Sequence, residues 1–311
     1  MPEWLIIKPS SLGDIVHGLQ VAQSLKMQRP DFRITWVARD CFVPLVRACL
    51  AVDRCWSYPR YGGARGFIRL LRQIRCQRFD GVIDFQGLAR SGLMLAAAQA
   101  ARKIGRSDAR EGAGFFYREQ IPLPARGRAS HAVDILAGVL PLLGCRVELM
   151  WPLAFRMVAP RTFAKALLHC KPIVMFPDSR RAEKIWPGFV ALAESIYRRF
   201  PERMLVWAGQ TVGVKPNLPG GAWVDVTGRT TLGEMVSLIA GACLVIANDS
   251  APVHLAAALQ VPVVALFGPT DPQRFGPYPL NSPGRYSLRA PGRDLRRLEV
   301  SKVFQIVETA L

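Results

Sequence analysis

The sequence predicts an α/β protein with two doubly wound units that face each other across a cleft. Short apolar runs alternate with helix-like stretches along both halves of the chain, which is typical of parallel βαβ units. At 311 residues the chain is long enough for two domains. A proline-punctuated stretch between Leu149 and Lys171 separates the two series. We therefore predict domains at 1–160 and 161–311.

Each half contains several apolar runs of strand length. In the first half, strands are predicted at 4–7, 34–37 and 81–84, and helices near 15–28, 42–50, 64–77 and 90–101. The segment 105–128 is rich in arginine and glycine, and we expect a long surface loop there. In the second half, strands are predicted at 173–176, 205–207, 244–247 and 263–267, and helices near 162–169, 187–199, 231–241, 251–259 and 301–311. Ser301 is the predicted cap of the last helix.

The composition excludes several classes of protein. Half of the residues are apolar and 21% are charged, which is typical of a globular chain. No apolar run reaches the length of a membrane span, and too few apolar residues precede Lys8 for a signal peptide, so we expect a cytoplasmic protein. The seven cysteines are scattered, without a C-x-x-C pair, and the four histidines lie far apart. Neither a disulfide framework nor a metal site is expected.

The formal net charge of +18 predicts an anionic partner. Between Arg54 and Arg110 there are twelve basic residues against three acidic ones. Arg65, Arg69 and Arg72 share one face of a predicted helix, although a solvated face without a ligand is the alternative. Nucleic acid, acidic lipid and phosphorylated small molecules all fit the charge. Nucleic acid is disfavoured because the basic residues are not interleaved with stacking aromatic residues and no recognised nucleic-acid-binding motif is present.

The turn after the first strand presents a carboxylate. Ser10, Ser11, Gly13 and Asp14 follow the apolar run 4–7 and precede a helix. Ligands of parallel α/β sheets bind at the carboxyl ends of the strands, so Asp14 is placed to do chemistry. The alternative is that Asp14 only caps the helix. A second polar turn, with Gln86, follows the strand 81–84 and is expected to line the same cleft.

A second group of polar residues follows the strand 244–247. The helix that begins near Ser250 directs unsatisfied backbone N–H groups and its positive dipole end toward the strand ends. Such a position favours the binding of a phosphate group. His254 lies one turn into that helix. It is either a residue that contacts a group bound at the helix terminus or a buried core histidine. Lys184 lies in a loop that should open onto the same carboxyl ends of the strands. There it would either neutralise a diphosphate or simply be solvated.

Five motifs, in order along the chain, resemble the lipopolysaccharide heptosyltransferases of glycosyltransferase family 9. They are KPSSLGD at 8–14, VIDFQGL at 82–88, KxWP at 184–187, DSAPVH at 249–254 and GPTDP at 268–272. The DFQGL segment and the AREG…FFYR stretch at 109–118 are most similar to the type I enzyme. The resemblance implies a GT-B fold of two Rossmann-like domains, the first for the acceptor and the second for the sugar nucleotide.

The resemblance also implies an activity, an inverting and metal-independent transfer of L-glycero-D-manno-heptose from ADP-heptose to a Kdo sugar of the inner core. ADP-heptose is then a substrate, and no cofactor is expected. Asp14 would be the general base. The donor would be held by Ser179, Lys184, Asp249, Ser250, Ala251 and His254. The anionic acceptor, Kdo-lipid A, would be bound by Ser10, Ser11, Gly13, Arg60, Arg65, Arg69, Arg72, Gln86, Arg110 and Arg118.

A lipid-linked acceptor implies peripheral contact with the cytoplasmic face of the inner membrane. Two departures from the family pattern bear on the donor, namely Ala251 where glycine is usual and a loop, 208–215, that lacks the acid expected for a ribose. The alternatives are therefore a related transferase with another sugar donor or a protein acceptor and, from a different class, a basic nucleic-acid-binding module. An oxidoreductase is disfavoured because no G-x-G-x-x-G follows the first strand.

Overall fold

The protein divides into two compact units, Met1–Arg156 and Met157–Leu311. The computed structural model describes residues 1–161, 163, 166–211 and 213–311. Each unit contains one six-stranded sheet in which all neighbouring strands run parallel. The predicted α/β class is confirmed. The sequence predicted a boundary after residue 160, within the proline-punctuated stretch between Leu149 and Lys171.

The sheet of the first unit has the strand order β3-β2-β1-β4-β5-β6. Its strands are β1 (Glu3–Ile7), β2 (Arg33–Arg39), β3 (Arg54–Tyr58), β4 (Arg78–Asp84), β5 (Gln99–Arg106) and β6 (Glu119–Ile121). Its helices are α1 (Leu12–Gln28), α2 (Val43–Ala48), α3 (Gly63–Arg75), α4 (Ala89–Ala97), α5 (Ala132–Ala137) and α6 (Val139–Leu142). The chain reverses its direction of winding between β1 and β4, so the connections leaving these two neighbours diverge and open a crevice at their carboxyl ends.

The sheet of the second unit has the order β12-β11-β10-β7-β8-β9. Its strands are β7 (Ile173–Phe176), β8 (Leu205–Trp207), β9 (Trp223–Asp225), β10 (Leu244–Asn248), β11 (Val263–Phe267) and β12 (Arg285–Arg289). Its helices are α7 (Ala166–His169), α8 (Phe189–Arg199), α9 (Leu232–Ala240), α10 (Ala251–Ala258), α11 (Pro272–Phe275) and α12 (Val300–Ala310). Here the reversal falls between β7 and β10, which are hydrogen-bonded neighbours.

The sequence did not predict any of the four edge strands. β3, β6, β9 and β12 have at most two buried residues each, whereas the central strands β1, β7, β10 and β11 are almost completely buried. An edge strand pairs on one side only and needs no continuous apolar run. The prediction of one long loop over 105–128 was wrong for this reason, because the segment contains β6 and a short 3-10 helix, Ala113–Phe116.

Two predicted helix bounds were also wrong. The helix near 90–101 ends at Ala97, because Gln99 begins β5 beside β4. The alanine-rich sequence favours a helix locally, but pairing with a buried strand outweighs that propensity. The last helix begins at Val300, with Glu299 rather than Ser301 before its first turn. Of the helix predicted near 162–169, the structure has α7, while residues 162, 164 and 165 lie outside the described part.

A buried carboxylate holds the turn that follows β4. Asp84 is fully buried, and its Oδ1 accepts hydrogen bonds from the backbone N–H groups of Gln86 (2.8 Å) and Gly87 (3.0 Å). Its Oδ2 accepts from the Tyr117 hydroxyl at 2.7 Å. Burial raises the pKa of Asp84, although hydrogen bonds from Ser91 and Tyr117 oppose the rise. The turn is therefore built on one side chain, since each of its donors would otherwise be buried without a partner.

We expect Asp84→Ala to lower the free energy of unfolding by about 2–4 kcal/mol, because buried donors lose their acceptor. Asp84→Asn keeps one oxygen for Gln86 and Gly87, so it should lose less than half as much. Thermal unfolding followed by circular dichroism measures both. Unfolding midpoints equal to that of the wild type for both variants would contradict this account of the turn.

Candidate active site

The carboxylate of Asp14 both caps α1 and remains accessible. Its Oδ2 accepts hydrogen bonds from the Ser11 N–H (3.0 Å) and the Ser11 hydroxyl (2.6 Å). The side chain is nevertheless 40% exposed, and its Oδ1 lies 3.9 Å from Nζ of Lys8. The two interpretations left open by the sequence are therefore compatible, because capping occupies only one of the two oxygens.

Lys8 is a charged residue that the sequence analysis did not single out. It ends the apolar run of β1, and its side chain is only 3% exposed. Burial lowers the pKa of Lys8, the negative charge of Asp14 opposes this, and the positive charge of Arg106 adds to the lowering. Its position within the KPSSLGD motif was the one feature of the sequence that could have marked Lys8 as a site residue. A lysine directly after a buried strand is an unusual position for a solvated charge.

Lys8 is a main cause of the low pKa of Asp14. Burial alone would raise the pKa of Asp14, but the charge of Lys8 and the hydrogen bonds from Ser11 outweigh that effect. The pKa of Asp14 consequently lies well below its usual range. Asp14 is ionised at neutral pH, and Oδ1 is the oxygen that the hydrogen bonds from Ser11 leave open to a proton.

The two polar turns of the first unit lie together, as predicted. Oε1 of Gln86 accepts a hydrogen bond from the Ser10 N–H at 3.3 Å. Arg106 donates to the Phe85 carbonyl at 3.3 Å and pairs with Asp108 at 2.7 Å. Both turns follow the strands β1 and β4, where the winding of the sheet reverses. The crevice of the first unit therefore holds a cluster of polar and charged groups.

The predicted acceptor residues fall into two groups. Ser10, Ser11, Gln86 and the buried Gly13 belong to the turns beside Asp14. The predicted arginines are all exposed, at positions 60, 65, 69, 72, 110 and 118. Three of them lie on the outer surface of α3, while the Arg110 N–H donates to the carbonyl of Gly87 at 2.9 Å. Their role in acceptor binding stays a prediction.

In the second unit, Lys184 forms an ion pair with Asp249. Its Nζ lies 2.6 Å from Oδ2 of Asp249, and the two side chains are only 15% and 7% exposed. The Thr270 hydroxyl donates a hydrogen bond to the same oxygen. The interpretation of Lys184 as a solvated loop lysine was wrong. Thr270 was not a candidate, although it lies within the GPTDP motif.

Asn248 holds the chain segments that carry this ion pair. Its Oδ1 accepts from the Trp186 N–H (3.1 Å), and its Nδ2 donates to the Pro177 carbonyl (2.8 Å). The Trp186 ring is buried and donates through Nε1 to the Leu298 carbonyl at 2.9 Å. The loop after β7 and the end of β10 are thereby fixed to each other, again at the reversal of winding.

The start of α10 lies next to Asp249. Ser250 is the extended residue before the helix, and its buried hydroxyl has no hydrogen-bond partner among the described residues. Ala251 is the first helical residue, and His254 is buried within α10. Ser179, in the loop after β7, accepts a long hydrogen bond from the Arg181 N–H (3.5 Å). The role of these residues in donor binding stays a prediction.

A carboxylate does lie beside the loop in which the sequence showed none. Oδ2 of Asp178, from the end of β7, accepts hydrogen bonds from the N–H groups of Gln210 (2.6 Å) and Thr211 (3.0 Å). A Cβ atom on Gly209 would lie 2.6 Å from Oδ1 of Asp178, so only glycine fits above the carboxylate. Asp178 was missed because it lies in a different loop, the one that follows the neighbouring strand β7. Residue 212 of this loop is outside the described part.

Within the described ranges, no helix has the length and apolar character needed to cross a membrane. The same ranges contain no group of three or more His, Cys, Asp or Glu side chains arranged to hold a metal ion.

The fold resembles that of sugar-nucleotide-dependent transferases. The structure of E. coli heptosyltransferase WaaC with ADP superposes with a TM-score of 0.80 at 22% identity, covering 99% of this chain and 100% of that one. The structure of E. coli ADP-heptose lps heptosyltransferase II gives 0.76 at 19% identity, covering 99% and 98%. These likenesses define the fold class, and the predicted GT-B fold is confirmed.

Sequence comparison identifies the family. The model of "Glycosyltransferase family 9 (heptosyltransferase)" matches residues 67–284, more than half of the chain. Lipopolysaccharide heptosyltransferase 1 of Salmonella typhimurium is 27% identical over 96% of this chain and 98% of its own length. The Pseudomonas aeruginosa protein of that name is 28% identical, covering 88% and 81%. The chain belongs to glycosyltransferase family 9.

We expect Lys8→Met to raise the pKa of Asp14 toward the ordinary range for a carboxyl, because the nearest positive charge is removed. The titration of the Asp14 carboxyl, followed by carbon NMR, measures the shift. Lys26→Met is the matched control, since Lys26 pairs with Asp53 instead, at 3.0 Å. An Asp14 titration that is the same in the Lys8→Met variant and the wild type would show that Lys8 does not lower the pKa of Asp14.

Proposed function

We propose that the protein transfers heptose from ADP-heptose to a Kdo sugar of the lipopolysaccharide inner core, with inversion at the anomeric carbon. The observation that carries the proposal is the pairing of Asp14 with a buried lysine at the carboxyl end of β1. Relatives of similar length are named for heptose transfer to lipopolysaccharide. A structural neighbour was solved with ADP-2-deoxy-2-fluoro heptose.

In the proposed reaction, Asp14 accepts the proton of the acceptor hydroxyl. The hydroxyl oxygen forms a bond to the anomeric carbon of the heptose while the bond from that carbon to the ADP oxygen breaks. ADP departs with the bonding electrons, and the proton moves to Oδ1 of Asp14. A base with a low pKa suffices if the proton moves late, since the alcohol becomes strongly acidic only as its new bond forms.

The second unit would stabilise the negative charge that develops on the ADP. Lys184 is a fixed cation, and the first N–H groups of α10 form a site where a phosphate is favoured. The unpartnered Ser250 hydroxyl would donate a further hydrogen bond. Asp249, which now neutralises Lys184, would accept hydrogen bonds from the heptose hydroxyls while keeping the lysine oriented. His254 and Ser179 would contribute from either side of this group.

The donor is the part of the proposal with a specific alternative. Ala251 adds a methyl group where the backbone must approach a phosphate, and the usual ribose acid is missing from the loop after β8. We infer that Asp178 supplies the carboxylate for the ribose, because its side chain lies beneath that loop. A family 9 transferase that uses another sugar nucleotide remains the second candidate, and turnover with GDP- or UDP-sugars but not with ADP-heptose would favour it.

The acceptor would be Kdo-lipid A, met at the cytoplasmic face of the inner membrane. Its Kdo carboxylate and its phosphates are negative, and the arginines at 60, 65, 69, 72, 110 and 118 are exposed to receive them. The turn residues Ser10, Ser11, Gly13 and Gln86 would position the reacting hydroxyl beside Asp14. In this proposal, the arginines bind the charged groups of the acceptor, and the neutral turn residues position its reacting sugar.

We expect Asp14→Asn to lower kcat by about 10²–10⁴-fold, because the amide cannot accept the proton. The assay combines purified protein, ADP-heptose and Kdo-lipid A, with the product detected by mass spectrometry. ADP affinity, measured by calorimetry, should stay within about threefold of the wild type. Asp31→Asn, at an exposed ion pair with Arg29, is the control and should be fully active. Near-normal turnover of Asp14→Asn would refute the assignment of the base.

We expect Lys184→Met to weaken ADP binding by about 10–100-fold, because one charge-assisted contact to phosphate is lost. Calorimetry with ADP measures the effect directly and does not depend on the acceptor. Lys302→Met, on the exposed surface of α12, is the matched control and should bind ADP like the wild type. An unchanged affinity of Lys184→Met would move the diphosphate site away from this ion pair.

A further inference from the structure

A cavity at the edge strand β3 lies apart from the crevice that holds Asp14. Its volume is about 420 Å³, which is within the range of small-molecule sites. It lies beside the first residues of β3, at the amino end of the strand, whereas the crevice opens at the carboxyl ends. We call it the arginine cavity. Its lining includes Arg47, Asp53, Arg54, Cys55, Trp56 and Arg156.

Three arginines from separate segments of the chain converge on the arginine cavity. Arg47 lies in the last turn of α2, Arg54 begins β3, and Arg156 is the last residue of the first unit. The Arg156 guanidinium donates a hydrogen bond to the Arg47 carbonyl at 3.0 Å. The Arg47 guanidinium in turn makes a long hydrogen bond to the Cys55 carbonyl, at 3.5 Å. These contacts hold two of the three guanidinium groups beside β3.

The positive charge of the three arginines is not neutralised by the rest of the lining. Among the described residues, no ion pair includes Arg47, Arg54 or Arg156. Asp53 is the acidic residue of the lining, and its carboxylate already pairs with Lys26 at 3.0 Å. An anion that enters the cavity would therefore find guanidinium groups without a competing carboxylate of their own.

Two further groups of the lining bear on the binding of an anion. Burial raises the pKa of the Cys55 thiol to about 12, although the charge of Arg47 opposes the rise, so this side chain is neutral and repels no anion. In the described part of the chain, β3 pairs with β2 alone. An edge strand leaves backbone N–H groups unpaired on its outer side, and these are additional donors for an anion.

The dimensions of the arginine cavity favour a small phosphorylated molecule over an added peptide strand. The cavity contacts Arg54–Trp56, three of the five residues of β3, whereas a strand needs about five or six residues. Guanidinium groups bind phosphate oxygens through paired hydrogen bonds. A single phosphate ion would leave most of the volume empty. The Asp53 carboxylate is 36% exposed, so it can also accept hydrogen bonds from hydroxyl groups of a ligand.

We propose that the arginine cavity binds the phosphate monoester of a small polyhydroxylated molecule, with its phosphate held by Arg47, Arg54 and Arg156. The organic part of the ligand would lie beside Asp53 and Trp56. Binding at this cavity requires neither a sugar nucleotide nor an acceptor. The proposal is therefore independent of the proposed transfer reaction, and either can fail without the other.

Calorimetry with ribose 5-phosphate, on the full chain in phosphate-free buffer, tests the proposal. We expect Arg47→Gln/Arg156→Gln to bind at least about tenfold more weakly than the wild type, because two charge-assisted contacts are lost. The matched control is Arg75→Gln/Arg78→Gln, which removes two exposed arginines of the same unit and should bind like the wild type. Lys184→Met should also bind like the wild type, which separates this cavity from the diphosphate site proposed in the second unit.

A second variant and a second measurement guard against a loss of binding that only reflects misfolding. Arg54 is exposed and begins an edge strand, so Arg54→Gln should fold normally and bind at least about threefold more weakly. Ribose 5-phosphate should raise the unfolding temperature of the wild type and of the Arg75→Gln/Arg78→Gln control, because it binds the folded state. It should raise that of Arg47→Gln/Arg156→Gln much less.

Several results would overturn the proposal. They are an absence of wild-type binding, equal affinities of the wild type and the Arg47→Gln/Arg156→Gln variant, and a loss of the same size in the Arg75→Gln/Arg78→Gln control. A loss in Lys184→Met would place the ligand in the second unit instead. Inorganic phosphate that binds as tightly as ribose 5-phosphate would show that the cavity does not recognise an ester.

Discussion

The structure depends on one constraint, the reversal of winding in each parallel sheet. Neighbouring strands at that point send their connections to opposite faces, so their carboxyl ends are left open to a ligand. In the first unit these strands are β1 and β4, and in the second they are β7 and β10. Asp14 and Lys184 both follow from this arrangement, since each lies in a connection that leaves one of these strands.

Each opening is built from a buried polar side chain and a more accessible charged one. Asp84 in the first unit and Asn248 in the second are fully buried and hold backbone groups of the adjacent turns. The charged groups, Lys8 with Asp14 and Lys184 with Asp249, are ion pairs in largely buried surroundings. Ion pairs of this kind add little net stability, because desolvation offsets the attraction. Their effect is to fix where the charged groups lie.

The sequence predicted the parts of the molecule in which one local pattern decides the structure. Buried central strands such as β7 and β11 are continuous apolar runs, and Asp14 and Ser250 lie in the turns that follow runs of this kind. The edge strands and β5 were missed because they depend on pairing with a neighbour rather than on their own apolar content. Lys8, Thr270 and Asp178 were missed for a related reason. Each contacts a residue distant in the sequence or has a pKa shifted by burial, and neither property has a local signature.

The most direct test of the account is a crystal structure of the protein with ADP-2-deoxy-2-fluoro heptose and a Kdo-bearing acceptor. The account predicts that the diphosphate contacts Lys184 and the first N–H groups of α10, and that Oδ1 of Asp14 lies within about 3 Å of an acceptor hydroxyl. A diphosphate bound elsewhere, or an Asp14 carboxylate that contacts only Ser11 and Lys8 while the acceptor is bound, would contradict it.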